Sequence, residues 1–289
     1  MDRETLQQRL GAYKWWQTVE LPEGMSTPGN PTVRPVNDKV VEAMRSLSFT
    51  GKRVLEIGCR DGLFSFEAER LGAREVIGID HILSRGAIDL LIPALSSKVQ
   101  MVELNMFDPR LSTYGKFDIV IFAGVLYHLR YPFWAFKVIR DLLVDGGKMV
   151  LETACFQSDD PSPLLYCPSP KDSPYEPTSV TFFNERGIRD ALESMGFGVG
   201  SLEWVGNKGV PERTQIKNRA LQVAAGVTRL LGSLGFRTRF TDEQILGPAD
   251  ARLDRKWIGR VVSVSTAGDA SGGADVSTYW DRVPTGREN

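Results

Sequence analysis

The chain has 289 residues, 42% of them hydrophobic, and its 35 Lys and Arg residues nearly balance 36 Asp and Glu residues. This length is enough for one sizeable α/β core with appendages. The balanced charge excludes a global electrostatic attraction to nucleic acid or to an anionic membrane. The polar first residues predict no secretory signal, and the longest apolar run is too short to span a membrane. The three cysteines are an odd number without metal-ligand spacing, so we expect a cytoplasmic protein. Because no apolar run is long enough for a bilayer, we also expect no contact with a membrane.

Residues 1–50 are predicted to form an N-terminal cap on the main domain. They contain a polar helix candidate, the aromatic residues Tyr13, Trp15 and Trp16, and a turn-rich piece, LPEGMSTPGNPTVRP, that is not expected to be regular. Both tryptophans are expected to pack within this cap. Stacking of their rings on a sugar or another ring is the alternative.

Strands and helices alternate from Arg53 onwards. The runs RVLEI, EVIGID and VQMVELN predict three strands, separated by helices over LFSFEAERLG and ILSRGAIDLLIPAL. A fourth strand, FDIVIFAGVLY, is followed by the helix FWAFKVIRDLLV, a turn at Asp145-Gly146-Gly147 and a fifth strand, KMVLETA. This alternation predicts an α/β fold over residues 51–206, with a Rossmann-like, doubly wound, mostly parallel seven-stranded sheet.

The second half of the chain is more irregular. Six prolines between Gln157 and Thr178 predict a loop, after which NERGIRDALESMGF predicts a capped helix and VGSLEWVG a strand. Residues 207–257 are predicted to be an insertion or lid with a basic amphipathic helix, before a last core strand at 258–266. Residues 267–289 are rich in Gly, Ser and Asp and are predicted to be a disordered tail.

The densest functional signal is VLEIGCRDG followed by the acidic residue that ends the second strand. Gly58 and Gly62 lack a Cβ, so the backbone there can turn sharply and approach a ligand. Asp80 is placed to accept hydrogen bonds from ribose hydroxyls at the carboxyl edge of the sheet. Glu56 is expected to hold the motif or to meet the amino-acid part of a methyl donor. A tight loop that binds nothing is the alternative.

A nucleotide with a pyrophosphate is disfavoured at this loop. The dinucleotide fingerprint needs glycines at positions that Arg60 and Leu63 occupy here. S-adenosylmethionine has no pyrophosphate and needs no such clearance, so this pattern favours it over a nicotinamide cofactor.

The third strand leads into Asn105-Met106-Phe107-Asp108. We predict that Asp108 accepts a hydrogen bond from an adenine amino group and that Phe107 lies against the ring. A solvent-exposed aspartate in a turn is the alternative.

These motifs resemble the class I methyltransferases, whose first motif is similar to VLEIGCRDG and whose second acidic position corresponds to Asp80. The segments GVLYHLRYPFWAFKVIRDLLVDGGKMVLET and TFFNERGIRDALESMGF are similar to the tRNA wobble-uridine carboxymethyl transferases and their small-molecule O-methyltransferase relatives. The narrower resemblance covers roughly residues 50–200. It implies S-adenosylmethionine as donor, with Tyr127 and His128 on the acceptor side. His81 directly follows Asp80 and is expected to flank the adenosine, and Ala123 is a further candidate for contact with the donor.

We predict transfer of a methyl group to a hydroxyl oxygen of a small molecule, a sugar or a secondary metabolite. His128 is the candidate base, because a hydroxyl loses its proton as it attacks. Tyr127, Glu152, and Tyr166 or Tyr175 are candidates for orienting hydroxyls. Mg²⁺ held by Glu152 with Asp80 or Asp108 is an option that no spacing demands. A tRNA-modifying enzyme and a catalytically silent S-adenosylmethionine-binding partner protein are the alternative functions.

Overall fold

The computed structural model describes residues 3–158, 160–206 and 258–268. The predicted insertion at 207–257 and residues 269–289 of the predicted tail lie outside these ranges. Nine strands are present in the described part: β1 (Arg53–Ile57), β2 (Glu75–Asp80), β3 (Gln100–Glu103), β4 (Phe117–Ala123), β5 (Leu143–Phe156), β6 (Leu165–Tyr166), β7 (Phe182–Phe183), β8 (Phe197–Val205) and β9 (Ile258–Ala267).

Seven of these strands form the main sheet, in the order β3-β2-β1-β4-β5-β9-β8. The first five are parallel to one another, whereas β9 is antiparallel to both β5 and β8. The two-residue strands β7 and β6 extend the sheet where β7 pairs with Cys155 of β5. The prediction of a mostly parallel, Rossmann-like seven-stranded sheet is confirmed.

Six α-helices accompany the sheet in the described ranges: α1 (Arg3–Leu10), α2 (Arg34–Arg45), α3 (Leu63–Arg70), α4 (Ile92–Leu95), α5 (Pro132–Leu142) and α6 (Glu185–Ser194). A π-helical turn, Ala87–Leu91, leads directly into α4. Helix α6 begins where predicted, because the Asn184 side chain accepts a hydrogen bond from the Gly187 N–H group. None of these helices is long and apolar enough to cross a bilayer.

The sheet is covered on both faces, which is why its central strands are apolar at successive positions. Leu55 of β1 packs in a cluster with Phe136 of α5 and Ile188 of α6. Its neighbour Val54 points to the opposite face, into a cluster with Val40 of α2. Both faces of the strand therefore contribute to the hydrophobic core.

Helix α2 was not predicted, and the turn-rich piece expected to be irregular ends at Pro35, in the first turn of this helix. Pro35 is at the start of the helix, where a missing N–H group costs nothing. Val40 and Met44, one turn apart, are fully buried, and α2 packs against β5 and β9. The apolar residues of this segment have helical spacing, which is the signal that was overlooked.

The predicted turn at Asp145–Gly147 lies inside the residues assigned to β5. The pairing of β5 with β4 shifts register between Leu143 and Lys148, so the three turn residues bulge out of the ladder. The strand continues on the far side of this bulge to the carboxyl edge of the sheet.

The N-terminal segment, residues 3–33 before α2, is held on the core by Trp15. Its indole N–H group donates to the Leu10 carbonyl at 2.8 Å, and the ring packs directly on Gly86. A Cβ atom on Gly86 would lie 2.5 Å from the Trp15 ring. The glycine therefore provides the surface on which the tryptophan rests.

We expect Gly86→Ala to destabilise the protein by about 1–3 kcal/mol, because the added methyl group displaces Trp15. The backbone of Gly86 is helical, so alanine by itself is favoured there by roughly 1 kcal/mol. In a Trp15→Ala background the same change is expected to become neutral or stabilising. Urea unfolding of the four proteins measures both effects, and a stabilising Gly86→Ala in the parent would contradict the packing.

Candidate functional site

A cleft of about 640 Å³ lies at the carboxyl ends of the central parallel strands. The sheet continues from β1 to β2 and β3 on one side and from β1 to β4 and β5 on the other, so the strand order reverses between β1 and β4. Open α/β sheets bind ligands at such a switch point. Most of the cleft wall comes from the loops that follow β1, β2, β3 and β4, and from α2, β5, β9 and the N-terminal segment. Predicted site residues in this wall are Gly58, Asp80, His81, Ala123, Tyr127, His128, Glu152 and Tyr175, with Trp16 beside them.

The two glycines of the first motif have different surroundings. Gly58 has a φ of 80° and faces the cleft, and a Cβ there would lie 2.3 Å from a Val125 methyl carbon. Gly62 has a φ of 88° and starts α3 outside the cleft wall, packed on Met101. Both positions require glycine, but only Gly58 borders the space for a ligand.

Asp80 is placed at the end of β2 with its carboxylate fixed by the motif. It accepts hydrogen bonds from the Arg60 N–H group at 3.0 Å and from the Ile82 N–H group at 3.3 Å. His81 Nδ1 lies 2.9 Å from the same carboxylate, and its ring is largely exposed. Because each carboxylate oxygen accepts more than one hydrogen bond, Asp80 can also accept from a ligand in the cleft.

Glu56 lies beneath the motif rather than in the cleft wall. It is almost completely buried, and one oxygen accepts a hydrogen bond from the Ser65 hydroxyl. Burial raises its pKa to about 8, so the carboxyl group is protonated near neutral pH. An uncharged Glu56 can hold α3 to β1 without placing a second negative charge next to Asp80.

Sequence reasoning missed a pair of residues that joins the N-terminal segment to the motif. Buried Asp61 accepts hydrogen bonds from the backbone N–H groups of Trp16 at 2.6 Å and Gln17 at 2.9 Å. In return, the Gln17 side-chain oxygen accepts from the N–H groups of Asp61 at 3.2 Å and Leu63 at 3.1 Å. The two residues are 44 positions apart, so no local pattern could have paired them.

The loop after β3 presents different residues from those predicted. Leu104, Asn105 and Met106 line the cleft, whereas Phe107 and Asp108 lie outside its wall. The Asp108 carboxylate instead caps the following helical turn and pairs with Arg110 at 2.7 Å. The residues next to the predicted pair therefore face the ligand space.

His128 lines the cleft in the helical turn after β4 and is held in one tautomer. Its Nδ1 atom lies 3.1 Å from the Thr178 carbonyl oxygen, which can only accept a hydrogen bond. Nδ1 therefore carries the hydrogen, and Nε2 keeps its lone pair. Burial lowers the pKa of His128, which favours this neutral form.

Arg260 of β9 is the second feature that sequence reasoning missed. It is paired through two hydrogen bonds of 2.5 Å with Glu152 of β5, and it donates to the Tyr175 hydroxyl at 3.0 Å. Its guanidinium carbon lies 4.6 Å from the centre of the Tyr127 ring. Burial opposes the charge of Arg260, but the Glu152 carboxylate outweighs it and holds the pKa above its ordinary value.

This pairing changes the role available to Glu152. Both of its oxygens are bound to Arg260, so the carboxylate predicted to orient a hydroxyl or hold Mg²⁺ is already neutralised. Within the described ranges, no group of three or more His, Cys, Asp or Glu side chains could hold a metal ion. Tyr166, the other candidate, packs near Phe182 outside the cleft wall.

Comparison with known proteins gives a match to the family model described as a methyltransferase domain, over residues 33–202. The tRNA U34 carboxymethyltransferase of Stutzerimonas stutzeri (strain A1501) is 32% identical over 123 residues, 41% of this chain and 38% of that protein. The same enzyme of Colwellia psychrerythraea is 32% identical over 165 residues, 55% of this chain and 48% of that protein. The chain thus spans less than half the length of these relatives.

Two solved structures share the fold. The N-terminal domain of EvdMO1, crystallised in the presence of SAH and D-fucose, has a TM-score of 0.55 at 18% identity, covering 92% of this chain and 97% of that one. The [4+2]-cyclase SpnF has a TM-score of 0.54 at 15% identity, covering 92% of each chain. At these identities the similarity is one of fold.

We expect Glu152→Gln and Arg260→Met each to destabilise the protein by about 3–5 kcal/mol, because each leaves a buried polar group without its partner. The double replacement Glu152→Leu with Arg260→Met is expected to recover much of this loss. Urea unfolding measures the cycle. Asp141→Asn, which breaks an exposed pair with Lys137, is the control and should cost about 0.5 kcal/mol or less. A small effect of both buried changes would contradict the strength of this pair.

Proposed function

This chain belongs to the methyltransferase-domain family, and on that premise we propose that it moves the methyl group of S-adenosylmethionine to a hydroxyl oxygen of a small molecule. The observation that carries the choice of a hydroxyl is His128. Its Nδ1–H group is bound to the Thr178 carbonyl, so Nε2 is left as an acceptor on a residue that lines the cleft. A hydroxyl nucleophile needs such a base, because its proton must leave as the oxygen attacks.

The donor fits the end of the cleft nearest β2 and β3. Asp80 accepts the ribose hydroxyls, and Leu104 and Met106 provide apolar walls for the adenine. Gly58 has no side chain and lines the cleft, so the ligand can lie close to the backbone there. A side chain at this position would collide with Val125. When bound, S-adenosylmethionine supplies an activated methyl group on a positively charged sulfur.

The acceptor occupies the end formed by β4, β5 and β9. There His128 takes the hydroxyl proton at Nε2 as the oxygen attacks the methyl carbon, and the Tyr127 and Tyr175 side chains border the same space. The chain contributes mainly alignment and exclusion of water, because the leaving group is already activated.

A small acceptor is favoured by the size and charge of the protein. A cleft of about 640 Å³ falls in the range of sites for small molecules. The nearly balanced charge provides no global attraction to a polyanion. EvdMO1, which shares the fold, was crystallised in the presence of a sugar, D-fucose.

Two alternatives have observations in their favour. The curated relatives that match about half of this chain or less modify uridine 34 of tRNA, which favours an RNA acceptor. SpnF has this fold and is described as a cyclase, which keeps open a protein that binds the donor without methyl transfer.

Labelled methyl transfer into a fractionated cell extract, with and without RNase, separates these functions. We expect label in a small hydroxylated compound in both samples. Label lost after RNase, together with binding to tRNA that weakens steeply with salt, would establish the RNA acceptor instead. Donor binding without transfer to any fraction would establish the silent protein.

We expect the protein to bind S-adenosylmethionine and its demethylated product, and Asp80→Ala to weaken this binding by about 10- to 100-fold, because hydrogen bonds to a charged group are lost. Asp108→Ala is the matched control, since Asp108 lies outside the cleft wall. Isothermal titration calorimetry measures all three affinities. Failure of the parent protein to bind either compound at millimolar concentration would refute the donor site.

With an acceptor in hand, we expect His128→Ala to lower kcat/KM by about 10²- to 10⁴-fold. Asp108→Ala, whose side chain lies outside the cleft wall, is the control. Because the pKa of His128 is lowered, the neutral form persists below the ordinary histidine range, and activity should fall only as the pH drops through that lowered value. Unchanged turnover in His128→Ala would remove this residue from the chemistry.

A further inference from the structure

We propose that Gln17 binds the carboxylate in the amino-acid part of the methyl donor. The proposal rests on the proposed function and extends it to a residue of the N-terminal segment. Gln17 lines the cleft beside the motif. Its side chain offers hydrogen-bond donors to a ligand, whereas the Asp80 carboxylate offers only acceptors.

The orientation of the Gln17 amide is fixed by the backbone of the motif. The N–H groups of Asp61 and Leu63 both donate to one side-chain atom, at 3.2 and 3.1 Å. Only the amide oxygen can accept two N–H groups, so the nitrogen must be the other atom. The NH₂ group is therefore directed by the fold and cannot rotate freely between alternatives.

This NH₂ group needs an acceptor that the described part of the protein does not provide. Gln17 is 5% exposed, and the hydrogen bonds that its side chain makes within the described ranges all go to its oxygen. The NH₂ nitrogen is not among the fully buried side-chain atoms that lack a partner, so a ligand in the cleft can reach it. A ligand that brings an acceptor to this wall of the cleft gives the NH₂ group a direct hydrogen bond.

The chemistry of the donor identifies the acceptor. The Gln17 NH₂ group can donate a hydrogen bond to the carboxylate of the amino-acid part. It cannot pair with the ammonium group, because the NH₂ group and the ammonium group are both donors. The ribose hydroxyls and the adenine are accounted for by Asp80 and by the loop after β3. Gln17 instead borders the turn after β1, where α3 begins, and the N-terminus of a helix favours a negatively charged group.

Asp61 keeps Gln17 in this place. Its carboxylate binds the N–H groups of Trp16 and Gln17, and its second oxygen accepts from the Ser84 hydroxyl at 2.8 Å. Hydrogen bonds in both directions therefore join the N-terminal segment to the motif, because Asp61 accepts from the segment and Gln17 accepts from the motif. Gln17 is positioned before any ligand arrives, which reduces the entropic cost of binding.

The test compares S-adenosylmethionine with its decarboxylated form, which lacks only the carboxylate. Gln17→Glu keeps the size of the side chain and the acceptor for both backbone N–H groups, but it replaces the NH₂ group by an oxygen. Affinities are measured by calorimetry without acceptor, after thermal unfolding has shown that the variant is folded. Gln17→Ala is the second variant, which removes the group without adding charge.

We expect the parent to prefer S-adenosylmethionine over the decarboxylated form by about 10- to 100-fold, and both variants to lose that preference. Equal weakening of both ligands would assign Gln17 a structural role and overturn the proposal. A parent that binds both ligands equally would overturn it without any variant. A parent that binds neither would refute the proposed function itself, which is a distinguishable result.

Discussion

The turn between β1 and α3 is the constraint on which the rest of the site depends. Gly58 adopts a left-handed backbone conformation so that the chain can leave the sheet and enter α3 without a side chain at its edge. The N–H groups of the turn are then shared between Asp80 of β2 and Gln17 of the N-terminal segment. One short loop thus fixes the positions of groups from two distant parts of the chain.

The part of the cleft next to β5 and β9 is organised by a different interaction. Because β9 inserts antiparallel beside β5, Arg260 comes to lie directly against Glu152 and over Tyr127. The charges of these two partners compensate each other within the protein, and the Glu176 carboxylate also borders this part of the cleft. Such a wall suits a neutral hydroxylated acceptor better than an anionic one, in agreement with the proposed function.

The two ends of the cleft differ in how closely their residues follow one another in the chain. One part of the cleft wall is built from short segments at the ends of consecutive strands, and the presence of Gly58, Asp80 and Ala123 in it follows from their positions at strand ends. His128 was predictable for the same reason, since it follows β4. Phe107 and Asp108 were misplaced by one or two residues, because a turn decides which of four consecutive side chains faces the cleft.

The sequence by itself determined the α/β class, the alternation of strands and helices around the glycine motif and the strand ends that border the cleft. These features follow from local periodicity and from the rules for parallel crossovers, which act over a few tens of residues. Only the tertiary structure decided that Gln17 meets Asp61 and that Arg260 meets Glu152, which is 108 residues away. Such pairs depend on how distant elements pack, and a single sequence carries no periodic signal for them.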